Sequence, residues 1–136
     1  MPRKKKQRDP EYTLHVFHHV DERNRKALQV FLVQTIKEFT SFNYEILLDA
    51  SMDGRALELK ILGLRTTPLI MPGVGPARGR RDFTGLRGSY NLSVVKLDGE
   101  TNEFRLGITP SHITIEGTLP HPFITVSNTP VTLFAS

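Results

Sequence analysis

The chain has 136 residues, 38% hydrophobic and 24% charged, with a net charge of +4 and no cysteine. That length and balance predict one folded domain rather than a disordered chain, and they exclude disulfides, thiolate metal sites and cysteine nucleophiles together. Arg3, Lys4, Lys5, Lys6 and Arg8 carry five of the positive charges, so the remaining chain sums to −1 and the basicity belongs to the N-terminus.

Residues 1–10 read as a basic flexible tail, and residues 11–136 as a single domain. Asp9, Pro10 and Glu11 stand where a signal peptide would need an apolar run, and no stretch reaches the about 20 apolar residues of a membrane span. A cytoplasmic location without a membrane span is the resulting expectation. In Tyr12–Val20 the residues Leu14, Val16, His18 and Val20 alternate with His15, Phe17 and His19, as in a strand.

Asp21 has the chemistry of a helix N-cap, and Glu22 suits the first turn. From there to Phe39 no Gly or Pro occurs, and Leu28, Leu32 and Phe39, with Ile36 beside them, form a stripe at helical spacing. This predicts one long amphipathic helix. Val30 and Val33 widen its apolar stripe, so the helix is expected to be covered on two sides, by a curved sheet or by a partner for which Val30 and Val33 would be the docking face.

Tyr44, Ile46 and Leu48, then Leu57, Leu59 and Ile61, alternate on either side of Asp53-Gly54, a hairpin signal. Residues 65–82 are rich in Gly and Pro and read as a long loop. A second hairpin pairs Tyr90, Leu92 and Val94 with Phe104, Leu106 and Ile108 across Asp98-Gly99. Ile113 and Ile115, Ile124 and Val126, and Val131 and Leu133 mark three further short strands. The expected fold is α+β: one long helix on a mostly antiparallel, sandwich- or barrel-like sheet of about six to eight strands, in the order β-α-β-β, loop, then five strands.

No catalytic constellation emerges. The run from Gly73 to Gly79 has the wrong glycine spacing for a phosphate loop, and Pro76 removes an N–H donor. His15 and His19 would sit about 13 Å apart on one strand face, too far to share a metal, and His18 points the other way. His112 and His121 stand alone, so no metal and no cofactor is expected. Asp49, Asp53, Glu58 and Asp98 lie at or near turns. What remains are two basic elements: the tail, and Arg78, Arg80, Arg81 and Arg87. These features favour a non-enzymatic accessory or adaptor subunit with a protein partner or a second copy of itself. A nucleic-acid-binding module anchored by the tail and the arginines is the alternative. A small-ligand-binding β domain with residues 65–82 as a lid is a second one.

Overall fold

The computed structural model describes residues 10–39, 44–66, 75–117 and 122–131. Among the described residues nine strands form one sheet: β1 Tyr12–Val20, β2 Ala27–Phe39, β3 Tyr44–Asp53, β4 Ala56–Thr66, β5 Gly75–Phe83, β6 Gly88–Val95, β7 Thr101–Ile108, β8 Ile113–Glu116 and β9 Ile124–Ser127. Their order across the sheet is β8-β7-β6-β4-β3-β5-β2-β1-β9. Five neighbouring pairs are antiparallel, and β1–β9, β3–β5 and β4–β6 are parallel. The architecture is all-β, with no helix among the described residues. The α+β expectation is therefore overturned.

The correction falls on the segment expected to be the helix. Residues 27–39 form the longest strand, paired with β1 on one side and β5 on the other. Phe31 and Val33 face one side of the sheet with Thr35, while Val30 and Leu32 face the other, and all five are buried. A strand covered on both faces loses its alternation and reads as a continuous apolar run, which periodicity cannot separate from a buried helix. The β-branched residues Val30, Val33, Thr35 and Ile36 suit the extended chain.

Asp21, expected as an N-cap, starts the β1–β2 loop instead. Its Oδ1 accepts the Arg23 N–H at 2.9 Å, Asn24 Oδ1 accepts the Lys26 N–H at 3.0 Å, and the Asp21 N–H donates to Lys26 O at 2.9 Å. A short polar side chain that bonds the backbone two residues on serves a turn as readily as a helix start. Arg25 takes a φ of 56°, the one positive value outside glycine among the described residues.

The β3–β4 hairpin occurs as expected, but its turn is Gly54-Arg55 between the paired Asp53 and Ala56. Gly54 has a φ of 58°, the conformation a two-residue hairpin loop demands of its first residue. Farther along, Leu47 pairs with Gly63 and Leu48 with Ile61, so Leu62 bulges out of register. The second hairpin also occurs, with Tyr90 opposite Leu106 and Leu92 opposite Phe104. The expected strands at Ile113 and Ile124 are β8 and β9; Val131 lies beyond the last strand, and Leu133 is outside the described residues.

The expected 65–82 loop is a second correction. β4 runs to Thr66 and β5 begins at Gly75, while residues 67–74 lie outside the described residues. β5 escapes a hydrophobicity reading because its inward positions include the small residues Ala77 and Gly79.

The sheet curls until its edges nearly meet, because one buried cluster draws side chains from β1 to β8 together with Phe123 and Ile124. Side chains rather than a strand ladder close the seam. Asn128 Nδ2 donates to Ile113 O at 2.8 Å, and His18 Nε2 donates to Thr109 O at 2.8 Å. Asn102 Oδ1 accepts the N–H groups of Phe123 and Ile124 at 2.9 and 3.4 Å.

Lys96 fastens one end of this barrel. Its Nζ lies 2.6 Å from Glu11 Oε2, 3.4 Å from Glu100 Oε1 and 5.0 Å from the Phe123 ring centre. Burial pulls its pKa down, but the bonds and charges of Glu11 and Glu100 outweigh that and raise it above its ordinary 10.5. Burial, aided by the Glu11 charge, likewise raises the Tyr12 phenol above 10.0. Both groups hold their protons longer in the folded than in the unfolded chain. The stability they contribute is complete below about pH 10 and is lost as pH rises through their folded values. Urea midpoints at pH 8 and pH 11 should therefore differ, with the lower one at pH 11 and a smaller gap in Lys96→Met; equal midpoints in the parent chain would contradict the staple.

Candidate interaction surfaces

The strand directions gather the β1–β2 loop (21–26), the β3–β4 turn (54–55), the β5–β6 loop (84–87) and the β7–β8 turn (109–112) at one end of the barrel. Hydrogen bonds tie these segments together. The Leu86 N–H donates to Gln29 Oε1 at 3.1 Å, Arg55 Nη1 donates to Arg87 O, and His18 reaches Thr109. The opposite end carries the β6–β7 turn with Lys96 and Leu97, and the last residues of β4.

The arginines grouped by sequence do not form one site. Arg78 and Arg80 point to the outer face of β5. Arg78 Nε donates to Gln34 Oε1 at 3.1 Å, and Arg80 makes a two-pronged pair with Asp82 at 2.7 and 3.0 Å. Arg81 projects from the other face and donates to Leu48 O at 2.6 Å, where the β3–β5 ladder is sparse. Arg87 stands in the next loop with its side chain exposed. Consecutive strand residues alternate faces, so adjacency in sequence separates them in space. Arg3, Lys4, Lys5, Lys6 and Arg8 lie outside the described residues.

Val30 and Val33 are each 0% exposed and occupy opposite faces of β2, so they share no docking stripe. Val33 belongs to the main core, while Val30 joins Phe17 and Leu32 in a small outer cluster against which Leu28 and Val131 pack. Among the acidic residues, Asp98 serves its turn as expected by accepting the Glu100 N–H at 2.8 Å. Glu58 sits 3.6 Å from Lys60. His15 Nδ1 meets Thr129 O at 3.2 Å, and His121 is outside the described residues. No three potential metal ligands come together among the described residues. No helix among them is long and apolar enough to cross a membrane.

Two surfaces escaped the sequence reading. At the Lys96 end, Leu62, Leu64 and Leu97 are 44%, 43% and 73% exposed. Leu97 lies over Gly63, where an added Cβ would be 3.8 Å from its Cδ1, and Leu62 and Leu64 flank that glycine in the chain. A shallow cleft of about 230 Å³ opens beside Leu97, lined also by Glu11, Tyr12, Ile61, Gly63, Lys96 and Asp98. The alternation read from the sequence ends at Ile61 and leaves Leu62 and Leu64 unassigned, and the bulge at Leu62 has no sequence signal. At the other end stand Arg23, Arg25 and Lys26, absorbed by the helix expectation.

The chain matches no protein-family model, no curated protein and no solved structure.

Proposed function

We propose that this chain is a non-enzymatic adaptor or accessory subunit that docks on a larger protein assembly through the end of the barrel bearing Leu62, Leu64 and Leu97. The observation that carries this reading is the exposure of three leucines at one end of the barrel, Leu62 and Leu64 beside the β4 bulge and Leu97 in the β6–β7 turn. Single surface leucines need no explanation, but three exposed at one end of a small barrel supply apolar area of the kind protein interfaces bury. Its rim is polar, with Arg65 paired to Glu45 at 2.5 Å and Lys96 to Glu11, as around an interface whose apolar centre is desolvated on binding.

The test is affinity purification of the full chain from a lysate of its source, beside a Leu62→Ser, Leu64→Ser, Leu97→Ser variant. A stoichiometric protein should accompany the parent chain and be lost from the variant, with the melting temperature of the variant unchanged or raised. Equal recovery by both chains, or a parent chain that stays monomeric and captures nothing, would overturn the reading.

A further inference from the structure

Four cations among the described residues pair with carboxylates. Lys60 pairs with Glu58, Arg65 with Glu45, Arg80 with Asp82, and Lys96 with Glu11 and Glu100. Arg23, Arg25, Lys26 and Arg87 are exposed and pair with no carboxylate among the described residues, and all four stand at the loop end opposite the leucines. Against them in the β1–β2 loop are Asp21, whose Oδ1 is taken by the Arg23 N–H, and Glu22. The loop is held by two side-chain turns and by backbone bonds between its ends, including Arg25 N–H to Asp21 O at 2.7 Å. Its cations are thus presented from a fixed frame, with Arg25 at a φ of 56°. A non-glycine residue kept in the left-handed region costs backbone energy, so the loop's shape is imposed by these bonds.

We propose that this end of the barrel binds the phosphate backbone of nucleic acid, without reading sequence, through Arg23, Arg25, Lys26 and Arg87. Guanidinium forks match phosphate oxygens, and a backbone contact requires only cations. An acidic protein would need more: interface centres are enriched in aromatic side chains, residues 21–26 contain none, and the exposed apolar side chains at this end, Val20 and Met52, stand outside the loop. Residues 3–8 add five further cations to the same chain, and each cation that neutralises a phosphate adds to the affinity for a polyanion. This surface is separate from the leucine patch, so the two proposals stand or fall independently.

The experiment is fluorescence anisotropy of a labelled, mixed-sequence duplex of about 20 base pairs titrated with the full chain between 50 and 200 mM salt, conditions across which phosphate contacts dominate binding. The parent chain should bind, with log K falling linearly against log salt. Arg23→Gln, Arg25→Gly and Lys26→Gln together should weaken binding about tenfold and make that slope shallower by about 2–3, since each phosphate contact contributes about 0.9. Glycine at position 25 accepts the positive φ, and Arg87→Gln should move affinity and slope the same way without altering the loop. Lys37→Gln with Lys60→Gln removes charge elsewhere and should change neither. No binding by the parent chain at 50 mM salt, or an unchanged slope in the loop variant, would overturn the proposal. So would equal affinity of the parent chain for polyglutamate, which would assign the surface to an acidic protein.

Discussion

Replacing Phe31 with alanine should cost about 3–5 kcal/mol of folding stability, the range for a large aromatic truncated in a core that cannot collapse around the void. Phe31 is 0% exposed, and its ring meets Phe83 edge-on at 5.2 Å. Val16 and Arg81 are its cross-strand neighbours, so three central strands lose packing together. The melting temperature should fall by more than about 10 °C for a domain of this size. Leu28→Ala should cost only about 1 kcal/mol, because Leu28 is half-buried at the margin of the small outer cluster. A helix with its stripe on Leu28, Leu32 and Phe39 would rank the two substitutions the other way. Urea unfolding of both variants decides between them.

Gly79→Ala should destabilise by about 3 kcal/mol, the upper range for forcing an extra carbon into a packed site. The added Cβ would lie 2.4 Å from Ile46 O, 3.0 Å from Ile46 Cβ and 3.1 Å from Leu48 Cγ. The nearest atom is a backbone carbonyl of β3, so no side-chain rotation relieves the clash, and β5 must move away from β3. Arg81 would then lose its bond to Leu48 O, one of the polar ties that make up for the single residue pair of the β3–β5 ladder. Gly75→Ala is the control. Nothing lies within 4 Å of its would-be Cβ, and the smaller entropy of the unfolded chain should leave it neutral or slightly more stable. Equal urea midpoints for the Gly79 variant and the parent would contradict the close approach of β5 to β3.

Much of the sheet was legible in the sequence where one face of a strand is buried and the other wet. The 44–61 part of the first hairpin and the 88–108 hairpin alternate, Tyr12–Val20 does so apart from the buried Phe17, and Asp-Gly marks or adjoins both hairpin turns. β2 was not legible, because burial on both faces removes the period of two and its 13 residues fit a helix better than an average strand. β5 was hidden for the opposite reason. Gly75, Pro76 and Gly79 look like loop residues, yet the glycine at position 79 is there because a neighbouring strand passes too close for a side chain. The basic residues followed the same logic. Arg78, Arg80 and Arg81 looked like one cluster but alternate across a strand, and the unpaired cations of the β1–β2 loop were read as a helix's first turns.

The fold also explains why the two proposed surfaces are separate. Antiparallel hairpins put successive turns at opposite ends, and here the Lys96–Leu97 turn collects apolar bulk while the 21–26 loop collects charge. The division is not complete, since Val20 and Met52 are exposed at the cationic end. The leucine and arginine variants test these functions independently, because neither set of residues contributes to the buried core.

The most direct test of the account is the backbone conformation of residues 27–39 by NMR, read from Cα and Cβ secondary shifts together with inter-strand NOEs. The all-β barrel predicts extended-chain shifts throughout, with NOEs joining Phe31 to Val16 across β1 and to Arg81 across β5. Helical shifts over 27–39, with sequential amide NOEs and no contact to Val16, would contradict it.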